Sequence, residues 1–163
     1  MNNIKYYRDG RAPIPEKEVT SKIMSSIKGK DTKPEMVVRK NLWALGIRGY
    51  RLHWKKAPGK PDIAFPGKKL AIFINGCFWH RCPFCNIHIP KSHTDYWENK
   101  FTQNVLRDMK HIEELSINGW GYFILWECQI NNEIDRSINE TVKFINTSKA
   151  TSEYVCTGVL DKL

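Results

Sequence analysis

The stretch Leu70-Ala71-Ile72-Phe73-Ile74-Asn75-Gly76-Cys77-Phe78-Trp79-His80-Arg81-Cys82-Pro83-Phe84-Cys85 sets a run of β-formers directly against a segment dense in thiols and aromatics, with one imidazole. The run reads as a strand, and the chemistry gathers at its carboxyl end. Cys82 and Cys85 form a C-x-x-C knuckle, Cys77 lies five residues before it, and Cys128 follows Trp126-Glu127 at the end of another apolar run. Four thiolates of this kind suit a structural zinc ion, because a short knuckle reaches one ion without strain while distant ligands tie separate strands together. His80 competes for a place in that site, since imidazole also binds zinc. Cys128 favours the four-sulfur set and leaves His80 for other work.

On the amino-terminal side of this strand, Tyr50 to Trp54 and Asp62 to Phe65 are further short β-rich runs, separated by Ala57-Pro58-Gly59-Lys60-Pro61 and, before Leu70, by Pro66-Gly67. Together the three predict a β meander. Two helices are predicted before them. Residues 16–27 carry Val19, Ile23, Met24 and Ile27 at helical steps, and a second helix starts after an Asp31 or Thr32 cap with Pro34 in its first turn, presenting Met36, Val37, Leu42, Trp43 and Leu45. On the carboxyl side, Thr94 to Asn118 keeps helical spacing through Trp97, Phe101, Val105, Met109, Ile112 and Leu115; Gly121 to Trp126 is another strand, and Glu133 to Thr147 a closing amphipathic helix. This order predicts an α/β fold, a mixed sheet covered by helices. The organisation is a Pro- and Gly-bearing arm over residues 1–15, one domain over 16–147 and a polar tail over 148–163.

At 163 residues, with 41% of them hydrophobic and 12% aromatic, the chain carries enough apolar material for a single sizeable core. No run approaches the roughly 18 apolar residues of a membrane span, and Met1-Asn2-Asn3-Ile4-Lys5 lacks a signal-peptide core, so a cytoplasmic location without membrane contact is expected. Five cysteines, an odd number, argue against a disulfide framework and leave Cys156 as the spare. A formal charge of +9 points to a polyanionic partner, nucleic acid foremost, although an indifferent basic surface explains charge alone equally well.

Asp62 follows Pro61 at a strand start, twelve residues before Ile74 at the far end of the next strand, so a hairpin can bring the two together. A carboxylate, a neighbouring backbone carbonyl and waters suit Mg²⁺; the plainer alternative is an Asp that caps a turn. His80, beside such a carboxylate, is placed to deprotonate an attacking water. Phe78, Trp79 and Trp97 fit either ordinary core packing or a wedge that unstacks base pairs. His53, His88, His93 and His111 have no comparable setting.

With these residues in place, the chain resembles the very short patch repair endonucleases. The likeness runs from Thr20-Ser21-Lys22-Ile23-Met24 and Asp31-Thr32-Lys33-Pro34-Glu35 through Pro58-Gly59-Lys60-Pro61-Asp62-Ile63, Gly76-Cys77-Phe78-Trp79-His80, Tyr96-Trp97 and Asn104-Val105-Leu106-Arg107-Asp108 to Gly119-Trp120 and Trp126-Glu127-Cys128. The resemblance implies a restriction-endonuclease-like fold of the PD-(D/E)xK type. It also implies a Mg²⁺-dependent enzyme that nicks double-stranded DNA 5′ to the thymine of a T:G mismatch left by deaminated 5-methylcytosine. By the same resemblance, Asp62 and the main-chain oxygen of Ile74 hold magnesium, His80 is the general acid/base, and Glu35 and Asp108 are supporting acids. Phe78, Trp79 and Trp97 intercalate beside the mismatch, Met24 enters from the other groove, and Cys77, Cys82, Cys85 and Cys128 hold zinc.

Two positions depart from the family pattern. Cys82 stands where some members use histidine, a cheap exchange in a tetrahedral site. Asn75 stands where relatives carry acidic or imidazole side chains, and an amide cannot transfer a proton. Nicking one strand needs one active site, so a monomer is expected, with downstream repair proteins as further partners. Two other readings fit the same residues: a restriction-type endonuclease that cuts ordinary duplex, and a zinc-stabilised DNA-binding module without catalysis.

Overall fold

The computed structural model describes residues 29–91 and 93–147. The predicted helix over 16–27, with Met24, lies outside the described residues, as do the amino-terminal arm, Cys156 and the tail.

Strong β-formers and two turns build the sheet: β1 (Arg51–Leu52), β2 (Ile63–Phe65), β3 (Leu70–Asn75) and β4 (Gly121–Trp126), in the order β1-β2-β3-β4. The first three strands pair antiparallel as the expected meander, and β4 adds parallel to β3. That parallel step needs a long crossover, which is supplied by helix α2 (Thr94–Ile117). β1 keeps only two of the five residues expected for it, and its exposed side chains mark it as an edge. Helix α1 (Lys33–Ala44) precedes the sheet; α3 (Glu127–Asn132) and α4 (Ile134–Thr147) follow it. The short α3, which starts within Trp126-Glu127-Cys128, was not expected from the sequence.

Alternation along the strands gives the sheet two unlike faces. Ile63, Phe65, Leu70, Ile72, Ile74, Phe123 and Leu125 point one way and pack against Val38 and Leu42 of α1, Ile130 of α3, and Ile138, Phe144 and Ile145 of α4. Burying a large aliphatic side chain of this sort stabilises by about 1.5–3 kcal/mol, so this face is the main core. The opposite face carries Ala64 and Ala71, which join Ala57, Leu115 and Trp120 in a smaller cluster. Trp54, Phe73 and Tyr122 pack half-buried around it.

Two helices turn differently from their predicted faces. In α1 the buried positions are Glu35, Val38 and Leu42, whereas Trp43 is 60% exposed with the Arg48 guanidinium 3.4 Å over its ring. In α2 only Phe101, Asn104 and Leu115 are buried, and Met109 is 62% exposed. The middle of α2 is not packed on the sheet because it forms one wall of a cleft.

Candidate active site

The parallel pairing sets Asn75 opposite Trp126, so β3 and β4 end side by side. Carboxyl ends of parallel strands are where open α/β sheets place their sites. Gly76-Cys77 and Glu127-Cys128 leave these ends together, and the four-cysteine cluster and the cleft are both built there. Cys77 N–H donates to Glu127 Oε2 at 3.3 Å, and Cys128 N–H to the Cys77 sulfur at 3.3 Å.

One ligand atom each from Cys77, Cys82, Cys85 and Cys128 lies within 4.8 Å of the others, and none of the four is disulfide-bonded. The Cys82 and Cys128 sulfurs are 3.7 Å apart. Tetrahedral zinc with bonds of about 2.3 Å puts its sulfurs roughly 3.8 Å from one another, so the cluster fits that ion in residue type, number and spacing. Burial pushes the metal-free Cys128 thiol up to about 11 and Cys77 strongly upward, while a hydrogen bond with Cys128 lowers Cys85. His80 takes no part in this cluster. Its ring faces Asp108 instead, with Nδ1 2.5 Å from Oδ2.

The cleft has a volume of about 950 Å³ and is lined by Asp62, Asn75 and Trp79 from the sheet side and its loops, and by Asn104, Asp108 and His111 from α2. The β2–β3 hairpin brings Asp62 to Ile74 as expected: the Ile74 N–H donates to Asp62 Oδ2 at 2.7 Å. Burial raises the Asp62 carboxyl to about 6, against the opposing Ile74 hydrogen bond, with Glu35 adding to the rise and His53 and His80 opposing it. A buried carboxylate among oxygen donors is the setting a hard cation suits, since positive charge restores the ionised form. Gly59 helps set this loop: at φ +71° it lets the turn before Asp62 approach α2, where an added Cβ would meet His111 at 3.0 Å.

Glu35 is almost wholly buried and caps α1 with both oxygens, accepting from Thr32 N–H at 3.3 Å and Thr32 Oγ1 at 2.7 Å through Oε1, and from Asp31 N–H at 3.0 Å through Oε2. Asp108 sits between the His80 ring and the Arg107 guanidinium. Burial raises it, but the His80 hydrogen bond and Arg107 together hold its carboxyl below the ordinary carboxylate range. Arg107 reaches Asp108 Oδ1 at 3.2 Å and Asn104 Oδ1 at 3.1 Å, and buried Asn104 donates to the Trp79 carbonyl at 3.0 Å. One hydrogen-bonded chain therefore runs from the aromatic segment to the His80–Asp108 pair.

Phe78, Trp79 and Trp97 are half-buried against one another and against Phe101, with centroids 5.1 Å apart for Phe78–Trp79, 5.4 Å for Phe78–Trp97 and 5.1 Å for Phe78–Phe101. The sequence reading passed over Asn104 and Arg107 as site components, and it set His53 aside wrongly. His53 Nδ1 lies 3.6 Å from Asp62 Oδ1 and its Nε2 3.5 Å from Glu35 Oε2. Only the β1–β2 pairing, which carries His53 N–H to the Asp62 carbonyl at 3.2 Å, reveals that proximity.

A carboxylate and an imidazole face one cleft beside a four-cysteine cluster in this α/β protein, and the sequence comparisons give the class as DNA endonuclease. The family model described as DNA mismatch endonuclease Vsr matches residues 13–85. The chain is 40% identical over 111 residues to the type II nicking enzyme V.XorIIP of Xanthomonas oryzae pv. oryzae, covering 68% of this chain and 80% of that one. It is 44% identical over 111 residues to the type II nicking enzyme V.NmeAIP of Neisseria meningitidis serogroup A, covering 68% and 79%. With the DNA mismatch endonuclease Vsr of Escherichia coli it shares 33% over 119 residues, covering 73% and 76%. The chain belongs to the Vsr family of DNA endonucleases.

Proposed function

We propose that this protein is a Mg²⁺-dependent mismatch nickase with a restriction-endonuclease-like, PD-(D/E)xK-type core, cutting one strand of duplex DNA 5′ to the thymine of a T:G mismatch. The observation that carries the reading is the meeting of Asp62, held by Ile74, with the His80–Asp108 pair in one cleft. Lys30, Lys33, Lys55, Lys60 and Lys100 also line that cleft, as phosphate binding requires. The mismatch role rests on the family and on the Escherichia coli relative.

Asp62, with the Ile74 main-chain oxygen, would hold the magnesium. Once bound, the ion supplies charge neutralisation at the scissile phosphate. Asp108 accepts from His80 Nδ1–H and so leaves Nε2 as the proton acceptor for a water lined up on phosphorus. Arg107 keeps Asp108 ionised for that task, and Glu35 fixes the α1 end of the wall. Phe78, Trp79 and Trp97 serve as the wedge beside the mismatch: stacking against unpaired base faces offsets the few kcal/mol of unstacking. Cys77, Cys82, Cys85 and Cys128 hold zinc, which staples the loop bearing Phe78 to His80 onto the ends of β3 and β4.

A second reading is a strand-specific nick in ordinary duplex, since the relatives' names specify nicking and no mismatch. Cleavage of end-labelled duplexes, fully paired or with a central T:G in several contexts, with Mg²⁺ or EDTA, separates the two. The expected result is a Mg²⁺-dependent nick confined to the thymine strand, abolished in Asp62→Ala while duplex binding persists. Equal nicking of paired duplex would support the second reading, and near-normal cleavage by Asp62→Ala would remove the assignment of Asp62.

A further inference from the structure

His53 is held in an unusual pose. It leaves the edge strand β1 with φ +46°, in the left-handed region that side chains other than glycine disfavour. A strand that simply continued would send this side chain along the sheet alternation. The left-handed turn goes with a ring placed between two acids, Nδ1 3.6 Å from Asp62 Oδ1 and Nε2 3.5 Å from Glu35 Oε2. Its side chain is 17% exposed, and Nε2 is buried without a hydrogen-bond partner among the described residues. An imidazole wedged between carboxylates, with strained backbone and an unsatisfied nitrogen, is poorly explained by packing alone.

We infer that His53 is a positioning residue for the cation-binding carboxylate: its ring keeps the Asp62 and Glu35 side chains apart and orients Asp62 into the cleft. The inference rests on the proposed role of Asp62. Whichever ring nitrogen carries the proton faces a carboxylate oxygen, so the ring restrains the pair from one side or the other. The Ile74 N–H holds the other Asp62 oxygen at 2.7 Å, so His53 and Ile74 together fix the carboxylate plane. Partners that orient a metal-binding side chain typically matter by about 10- to 100-fold in metal affinity or activity.

The test uses the zinc-loaded full chain as wild type, His53→Ala, His53→Asn, His53→Gln and Asp62→Ala. Mn²⁺ binding is followed by electron paramagnetic resonance, and nicking of the T:G duplex is measured across Mg²⁺ concentration. His53→Ala should weaken Mn²⁺ binding roughly tenfold and shift half-maximal nicking to correspondingly higher Mg²⁺, with duplex affinity in EDTA unchanged. His53→Asn, whose amide can still donate toward Asp62, should recover part of the loss and covers the case in which the alanine variant does not fold. Wild-type Mn²⁺ affinity and Mg²⁺ dependence in His53→Ala or, if that variant is not folded, in both folded His53→Asn and folded His53→Gln, beside an inactive Asp62→Ala, would overturn the role of His53 alone. Mn²⁺ binding and nicking that survive Asp62→Ala would instead overturn the reading of the site.

Discussion

The cysteine cluster and the carboxylate cleft grow from the same pair of strand ends yet are built on opposite principles. In the cluster, four like ligands from two segments turn inward on one another, all within 4.8 Å, with Trp126, Ile87 and Ile124 packed around them. In the cleft, Asp62, His80 and Asp108 stand on separate elements around about 950 Å³ of open space, each held from behind by a partner and bare in front. On the proposed reading, the first arrangement would be complete with one ion and serve stability, and the second would be left open for solvent, cation and substrate. A closed ligand set and an open one can thus share a scaffold without exchanging ligands, and His80, four residues after Gly76 and two before Cys82, sides with the open one.

The largest effect that would test this contrast is removal of the cluster ion. Chelation should release about one zinc per chain and unfold the domain, since structural zinc contributes on the order of 10 kcal/mol against a typical domain stability of about 5–15. Metal analysis and circular dichroism check it, and a folded, zinc-free protein would break the distinction between a stapling site and a working one. Next is the open side. His80→Ala should lower single-turnover nicking by about 10²–10⁴ with the zinc content and thermal midpoint little changed, and Asp108→Asn should lower it less, by the loss of ring orientation. Loss of zinc in His80→Ala would show that the two sites are not separate after all.

The smallest effect concerns Asp62 and pH. Its carboxyl is raised from 3.8 to about 6 in the metal-free fold, so the folded state binds a proton that the unfolded state has released. Stability from this group is therefore present at acidic pH and is lost as pH rises from about 4 to 6. Two units correspond to about 3 kcal/mol at most, and partial solvent access reduces that to roughly 1–2. The urea midpoint of wild type relative to Asp62→Asn should accordingly fall between about pH 4 and pH 6 without Mg²⁺. A flat difference would show that the open site carries no such burden.

Legibility in the sequence followed range of interaction. β3 and β4 were readable to the residue because Leu70-Ala71-Ile72-Phe73-Ile74 and Tyr122-Phe123-Ile124-Leu125 are continuous apolar runs bounded by glycine, and α4 because its apolar period is regular. The faces of α1 and α2 were misread where Trp43 and Met109 satisfied a helical period yet lie in solvent. Periodicity says which residues share a face, not whether the fold covers it. Asp62, His80 and the four cysteines could be found because their residue types are rare and closely spaced. Asn104, Arg107 and above all His53 could not: Asn104 acts through a hydrogen bond to Trp79 across 25 residues, Arg107 acts on Asp108, whose partner His80 lies 28 residues away, and His53 depends on one strand edge.

What the sequence determined by itself is local: strand propensities, the knuckle of Cys82 and Cys85, the turn at Pro58-Gly59, and the supply of positive charge. What only the tertiary structure decided is which groups face each other. The parallel register of β3 with β4 sets Cys77 beside Cys128, the β2–β3 hairpin sets Asp62 against Ile74, and the crossover helix delivers Asp108 to His80. The physical reason is that covalent connectivity restrains only near neighbours, whereas burial of the apolar sheet face draws remote segments into one geometry and thereby chooses the partners of every polar group left at its rim.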